Sequence, residues 1–269
     1  MTTRQAFSKF GASRPQYRCP VCSQPLTVHE TSLVCSTGHT YDINRKGYVD
    51  LRRTAYHSDH YTADFFEARR SVLEAGLYTE LITTLRAVCE RFDIDTDQAA
   101  DVGCGDGFIT RALGIGTGID ISLEGIAVAA RGGGTTRWVC ADGAQLPLVP
   151  GTASSIFNIF APARYDEFAA ACPQGLLVKV IPGSRHMRQL RSLVGLESET
   201  HSQAQKLFEE NVTVIGQFET EATVAVDETV TAARLLSMSP VGFSAQEPPP
   251  LEKLTEITTH SHVLVGRLP

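Results

Sequence analysis

One stretch, Asp101-Val-Gly103-Cys-Gly105-Asp-Gly107, limits the fold of this chain more than any other, because it ends an apolar run with glycines at three alternate positions. Glycine tolerates positive φ and lets the backbone approach a neighbour closely, so such a loop belongs at the carboxyl end of a buried strand, where open α/β sheets bind ligands. The surrounding sequence repeats the pattern. "QAADVGCGDG", "GTGIDIS", "TRWVCADG", "SSIFNIFAP" and "GLLVKVIPG" are five strand-like runs that end in turn residues and are spaced by helical or loop intervals. That alternation predicts a doubly wound, largely parallel α/β sheet. "NVTVIGQFET" and "SHVLVGRLP", with the helical "DETVTAARLLSMS" between them, add two closing strands, for seven in all with an antiparallel pair at one edge. Only twelve residues separate Gly107 from Asp120, so the first helix after the glycine loop is expected to be short and its face of the sheet less well packed.

The glycine spacing separates two cofactor classes. A dinucleotide fingerprint starting at Gly103 would need glycine at position 108, which is Phe108. The DxGxGxG form, Asp101 to Gly107, instead resembles motif I of the S-adenosylmethionine (SAM)-dependent methyltransferases. Asp120 closes the second run, where a carboxylate can accept both ribose hydroxyl protons, and Asp142 closes the third, where one can accept the adenine amino group. Either aspartate alone also reads as a helix N-cap; in this order behind the glycine loop, they predict a SAM pocket.

The front of the chain has a different character. Cys19, Cys22, Cys35 and His39 form CxxC, twelve residues, then CxxxH, which offers three thiolates and an imidazole to one tetrahedral ion and predicts a closed, structural zinc site. Between them "LTV" and "SLV" flank the polar "HET", a hairpin with His29 exposed at its tip. A redox CxxC would stand at a strand-to-helix junction, which this pair does not. The chain has seven cysteines, no long apolar run and a polar start, "MTTRQAFSKFGASRP". These features predict a cytoplasmic protein without a disulfide framework, signal peptide or membrane partner. Residues 1–53 carry eight Lys/Arg against three Asp/Glu, and the rest of the chain sixteen against twenty-seven. A basic front on an acidic body suits a module that holds a polyanion, and Arg45, Lys46, Arg52 and Arg53 are its densest cluster. A helical pattern starts near Ala63, breaks at Gly76 and resumes, while His57, Asp59 and His60 precede it as loop residues. The expected division is therefore 1–53, a zinc-binding module; 54–92, a helical linker; and 93–269, the SAM-binding domain, with residues 60–269 able to bind SAM alone.

Taken together, "CPVC", "CSTGH", "YDINRKGYVDL", "EARRSVLEAGLY", "DVGCGDGF", "FAPARYDEF" and "PGSRHMRQL" resemble, in that order, the large-subunit (23S) rRNA guanine-N1 methyltransferases. The resemblance implies a small zinc domain before a class I SAM-dependent methyltransferase Rossmann-like fold. It implies methylation of a guanine in a 23S rRNA hairpin loop, a bearing on tylosin-type macrolides, and a homodimer whose paired zinc modules cup RNA. It also implies that Tyr78, Gly105, Asp106 and His186 contact SAM. Phe160 and Pro162 of "NIFAPAR" stand where related enzymes hold the target base. Asp106, Asp166 and His186 are candidates to receive the N1 proton; none is assigned, and Asp166 and Glu167 read otherwise as a solvated helix start. Two other functions fit parts of the chain. A small-molecule methyltransferase would share the SAM pocket but leave the basic front without a task, and a non-enzymatic zinc-ribbon binder would not need Asp101, Asp120 and Asp142.

Overall fold

In the computed structural model, which describes residues 8–11, 16–196, 202–244 and 249–269, the chain first forms a small antiparallel sheet. Its strands are β1 (Leu26–His29), β2 (Ser32–Cys35) and β3 (Thr40–Asp42). Most of the polar start lies outside the described residues. The β1–β2 hairpin pairs Leu26 with Cys35 and His29 with Ser32, as the "HET" turn predicts, and His29 is exposed. The following turn needs Gly47 at φ 89, with Lys46 N–H donating to Asn44 Oδ1 at 2.9 Å. It leads into β4 (Tyr48–Asp50).

Two helices follow. Thr62 caps α1 (Ala63–Glu74) by accepting Phe65 N–H, and the helix buries Phe65, Phe66, Val72 and Leu73. Gly76, at φ 99, breaks the path before α2 (Thr79–Arg91), whose buried Leu81, Ile82, Leu85 and Val88 lie on one helical face.

The large sheet then builds through β5 (Ala100–Val102), α3 (Phe108–Ala112), β6 (Thr117–Asp120), α4 (Leu123–Arg131), β7 (Arg137–Cys140), β8 (Ser155–Ile159), α5 (Tyr165–Ala171) and β9 (Leu176–Pro182). It closes through α6 (Arg188–Leu193), α7 (Ser202–Asn211), β10 (Thr213–Ala225), α8 (Ala232–Ser237), α9 (Pro240–Phe243) and β11 (Glu256–Arg267). The strand order is β10-β11-β9-β8-β5-β6-β7-β4. All seven expected strands are present, β5 to β9 parallel and β11 antiparallel to both β9 and β10. β8 is buried along its whole length, the signature of a parallel strand covered on both faces, whereas edge strand β10 alternates toward solvent. One expectation is corrected: among the described residues the sheet has eight strands. β4 pairs parallel with β7, Tyr48 opposite Trp138 and Asp50 opposite Cys140, so the basic front of the chain enters the main sheet. Three residues between a basic turn and two arginines are too few to show strand periodicity.

The first helix after the glycine loop is short as expected, five residues, yet its face is filled. Ile115 is fully buried, and the Arg111 guanidinium lies 5.5 Å from the Trp138 ring centroid while donating to Ala129 O. Among the described residues, no helix is long and apolar enough to cross a membrane.

Candidate functional site

The front module gathers its four donors at one point. Cys22 and Cys35 Sγ are 3.7 Å apart, and His39 Nδ1 lies 3.4 Å from Cys35 Sγ and 3.6 Å from Cys19 Sγ. Bonds of about 2.3 Å to sulfur and about 2.0 Å to nitrogen, at tetrahedral angles, require separations of about 3.8 and 3.5 Å, so the set fits zinc. Gly38 at φ 89 folds Cys35 and His39 toward each other, and the Tyr41 hydroxyl lies 3.2 Å from Cys19 Sγ as outer support. His57, Asp59 and His60 are exposed and belong to no metal-ligating group among the described residues.

A cavity of about 670 Å³ opens at the carboxyl ends of β5 to β8, and Tyr78, Asp101, Gly103, Gly105, Asp106, Asp120, Asp142 and His186 all line it. Gly103, Gly105 and Gly107 have φ of 85, 54 and 68. A Cβ on Gly103 would overlap Ala161, and one on Gly107 the Trp138 ring, whereas at Gly105 it would meet only Phe66, at 3.4 Å. The first and last glycines thus make room for the protein itself. Gly105 is not demanded by protein packing in this way, and it lines the cavity.

The carboxylates are held in place by the backbone. Asp120 accepts Gly105 N–H and Ser122 N–H, both at 2.8 Å, one on each oxygen. Exposed Asp142 caps a short 3-10 turn through Ala144 N–H at 2.8 Å. Asp106, 2% exposed, accepts Phe108 N–H at 2.8 Å and faces Arg69 Nε at 3.3 Å; burial pushes its pKa up against both. Asp101 accepts Thr110 Oγ1–H at 2.6 Å, but its second oxygen is buried with no hydrogen-bond partner among the described residues, and burial raises its pKa to about 7. Four carboxylates on one cavity, two of them with a buried oxygen that has no hydrogen-bond partner among the described residues, Asp101 Oδ1 and the Arg69-facing Asp106 Oδ2, fit a ligand that carries an ammonium group, a diol and an aromatic amine.

At the other wall, burial keeps the Tyr78 hydroxyl protonated; it lies within hydrogen-bond distance of His186 Nε2, at 3.2 Å, while His186 Nδ1 lies 3.0 Å from His260 O and 3.3 Å from His260 N. Both rings lie near Phe160, with centroids 5.4 and 5.5 Å away. Phe160, Ala161, Pro162 and Arg164 line the same cavity. Asp166 does not: it is exposed, paired with Arg164 at 2.9 Å and lowered in pKa by that bond. Its neighbour Glu167 is no solvated residue, since it accepts Leu146 N–H at 2.9 Å and pairs with Arg18 at 3.2 Å, joining the zinc module to α5. Arg52 is likewise committed: it binds Asp50 through Nε at 3.0 Å and Nη2 at 2.7 Å, and donates to Ile121 O at 3.3 Å. Arg45, Lys46 and Arg53 remain exposed. Arg69 was not singled out from the sequence. Its signal was its place three and four residues after Phe66 and Phe65, on the α1 face that meets the glycine loop.

Residues 17–52 match a zinc-ribbon family model described as RlmA, N-terminal, and residues 100–171 match one described as a methyltransferase domain. The 23S rRNA (guanine(748)-N(1))-methyltransferase of Streptomyces fradiae is 30% identical over 249 residues, spanning 88% of each chain. YxjB of Bacillus subtilis (strain 168), provisionally named as a 23S rRNA (guanine-N(1)-)-methyltransferase, is 30% identical over 252 residues, covering 85% of this chain and 87% of that one. Among solved structures, a SAM-dependent methyltransferase of Thermotoga maritima shares the fold at a TM-score of 0.50 and 11% identity, covering 78% of this chain and 99% of that one.

Proposed function

The chain belongs to the 23S rRNA guanine-N1 methyltransferase family, a zinc ribbon before a class I SAM-dependent methyltransferase fold, and from that premise we propose that it methylates N1 of a guanine in a hairpin loop of 23S rRNA. One observation carries this reading: the carboxylates suited to SAM and the Phe160–Pro162 loop suited to a base line a single cavity.

When bound, SAM supplies an electrophilic methyl on a sulfonium. Asp120 would hold the ribose hydroxyls, Asp142 the adenine amino group, and Tyr78, Asp101, Asp106 and His186 the amino-acid end, with Gly103 and Gly105 giving the backbone room to approach. Cys19, Cys22, Cys35 and His39 would hold a zinc ion in a closed site that orders the front module. Guanine N1 carries a proton and is a poor nucleophile until that proton leaves, so the base must be drawn out of the stack and placed beside an acceptor. Phe160 and Pro162 offer it flat apolar faces. Of the candidates to receive the proton, Asp106 and His186 line the cavity. Residues 1–53 hold the RNA, 54–92 form the helical link, and 93–269 carry out the methylation.

The test is incubation with labelled SAM and either 23S rRNA or a small-molecule extract. The expected product is labelled rRNA with one reverse-transcription stop in a hairpin loop, because an N1-methyl blocks the pairing edge of guanine. Label confined to small molecules would refute the reading. Its finer parts have their own measurements: tylosin-type macrolide susceptibility with and without the expressed chain, and sedimentation for a homodimer.

A further inference from the structure

Beneath the Phe160–Pro162 loop the sheet holds a buried cation that the proposed cofactor site does not use. Lys179, on β9 and 4% exposed, donates through Nζ to Asn158 Oδ1 at 2.6 Å and to Ala161 O at 3.0 Å. Asn158 lies opposite it on β8, fully buried, and its amide donates to Val102 O at 2.8 Å and Pro162 O at 3.1 Å. Two side chains therefore tie the end of β5, one residue before Gly103, to two successive carbonyls of the loop. The loop they hold is strained. Phe160 has φ 54, a left-handed value uncommon for a residue with a side chain, and the Ala161 methyl fills the space that Gly103 leaves empty. Burial lowers Lys179 to about 8, and among the described residues no anionic group opposes that shift. A buried amine without a carboxylate partner is a costly way to fill a sheet interior that apolar side chains would fill well.

We propose that Asn158 and Lys179 are a positioning pair for the target base, holding Phe160–Pro162 in its strained path over the glycine loop so that guanine N1 is presented in line with the methyl group. The proposal rests on the base site given above. Neither side chain lines the cavity, so the pair acts through the loop and touches no reacting atom. Misplacing a reacting group by about 1 Å costs about a hundredfold in rate, which sets the scale of the effect.

The experiment compares wild type, Lys179→Met and Lys179→Gln, measuring kcat and KM for rRNA methylation, SAM affinity by calorimetry and RNA affinity by filter binding. Lys179→Met keeps the length but removes both donors, so kcat should fall about ten- to a hundredfold while SAM and RNA affinities stay within about threefold; Lys179→Gln, which retains a donor, should recover part of kcat. Asn158→Asp keeps the bond to Lys179 and loses both amide donors, and should show the same split. An unchanged kcat in any variant that folds, or a parallel loss of kcat and SAM affinity, overturns the positioning role, and failure of Lys179→Met and Asn158→Asp to fold makes the pair structural and overturns it as well. A wild type that methylates no rRNA refutes the proposed function; one that does, beside a fully active Lys179→Met, refutes this inference alone.

Discussion

The glycines of the loop, alike in sequence, are expected to respond differently to a methyl group. Gly107→Ala combines a left-handed backbone, costing about 1–2 kcal/mol, with overpacking against Trp138, costing about 1–3 kcal/mol, and should lower the unfolding temperature clearly. Gly105→Ala meets only the backbone cost and a 3.4 Å contact with Phe66, so it should stay folded and lose SAM affinity instead. Thermal unfolding beside calorimetric titration separates the two. Asp120→Ala should lose about 1.5–3 kcal/mol of SAM binding, roughly tenfold to a hundredfold, because an acceptor disappears and Gly105 N–H loses its partner. Unchanged affinity would remove Asp120 from the pocket. Asp101 adds a pH dependence whose sign follows from its environment. Folded it titrates near 7, unfolded near about 3.9, so folding takes up a proton between those values. The stability it contributes is present below about pH 4, declines to about pH 7 and adds no slope above. Asp101→Asn should flatten that part of the stability profile; an identical slope in the variant would show that the carboxyl titrates elsewhere.

Among the elements, β4 changes what is expected of the zinc module. The sequence suggests that residues 60–269 bind SAM alone, but truncation there would strip β4 from β7 and remove Val49 and Leu51, both buried. It would also break the Tyr17 bond to Thr117 Oγ1 at 2.9 Å and the Arg18–Glu167 pair. Arg52 would go too, and with it the donor to Ile121 O beside Asp120. Zinc binding supplies much of the folding free energy of so small a module, and here that energy reaches the sheet through hydrogen bonds and packing. Chelation, or Cys35→Ser, is therefore expected to lower the melting temperature of the whole protein in one calorimetric transition and to weaken SAM binding. Two separate transitions, with SAM affinity intact in the second unit, would show the modules to be independent.

Over the whole molecule the opposed charges of front and body govern how RNA is met. The acidic body repels a polyanion, and the exposed Arg45, Lys46 and Arg53 are the cations free to oppose that repulsion in the basic turn and its exit. Replacing these three with alanine should leave SAM affinity intact, weaken RNA binding and make the slope of log K against log salt shallower by about 2–3, since each phosphate contact contributes about 0.7–0.9. Filter binding over a salt series measures it, and equal slopes would count against rRNA as the partner. Arg52→Ala is expected to behave differently, lowering SAM affinity with little effect on the salt slope, because its guanidinium is spent on Asp50 and Ile121.

What could be read before folding was what residue type encodes locally. Glycines that require positive φ, thiols and an imidazole spaced for one ion, and apolar runs ended by turns are demands of the backbone or of coordination chemistry, and they leave their mark within a few residues. By these marks alone the seven core strands, the four zinc ligands and the carboxylates Asp101, Asp120 and Asp142 were legible; Tyr78, Asp106 and His186 came from the family resemblance, and all eight expected cofactor residues line one cavity. Tertiary structure decided the rest: that "YVD" becomes a strand, that Arg52 and Glu167 are bound inward, that Arg69 faces Asp106, and that Lys179 and Asn158 hold the loop above them. Each of these joins residues that only the folded sheet makes neighbours, and a side chain's partner across the fold is set by which strands pair and which helices cover them, for which no short stretch of sequence carries a periodic or spacing signal.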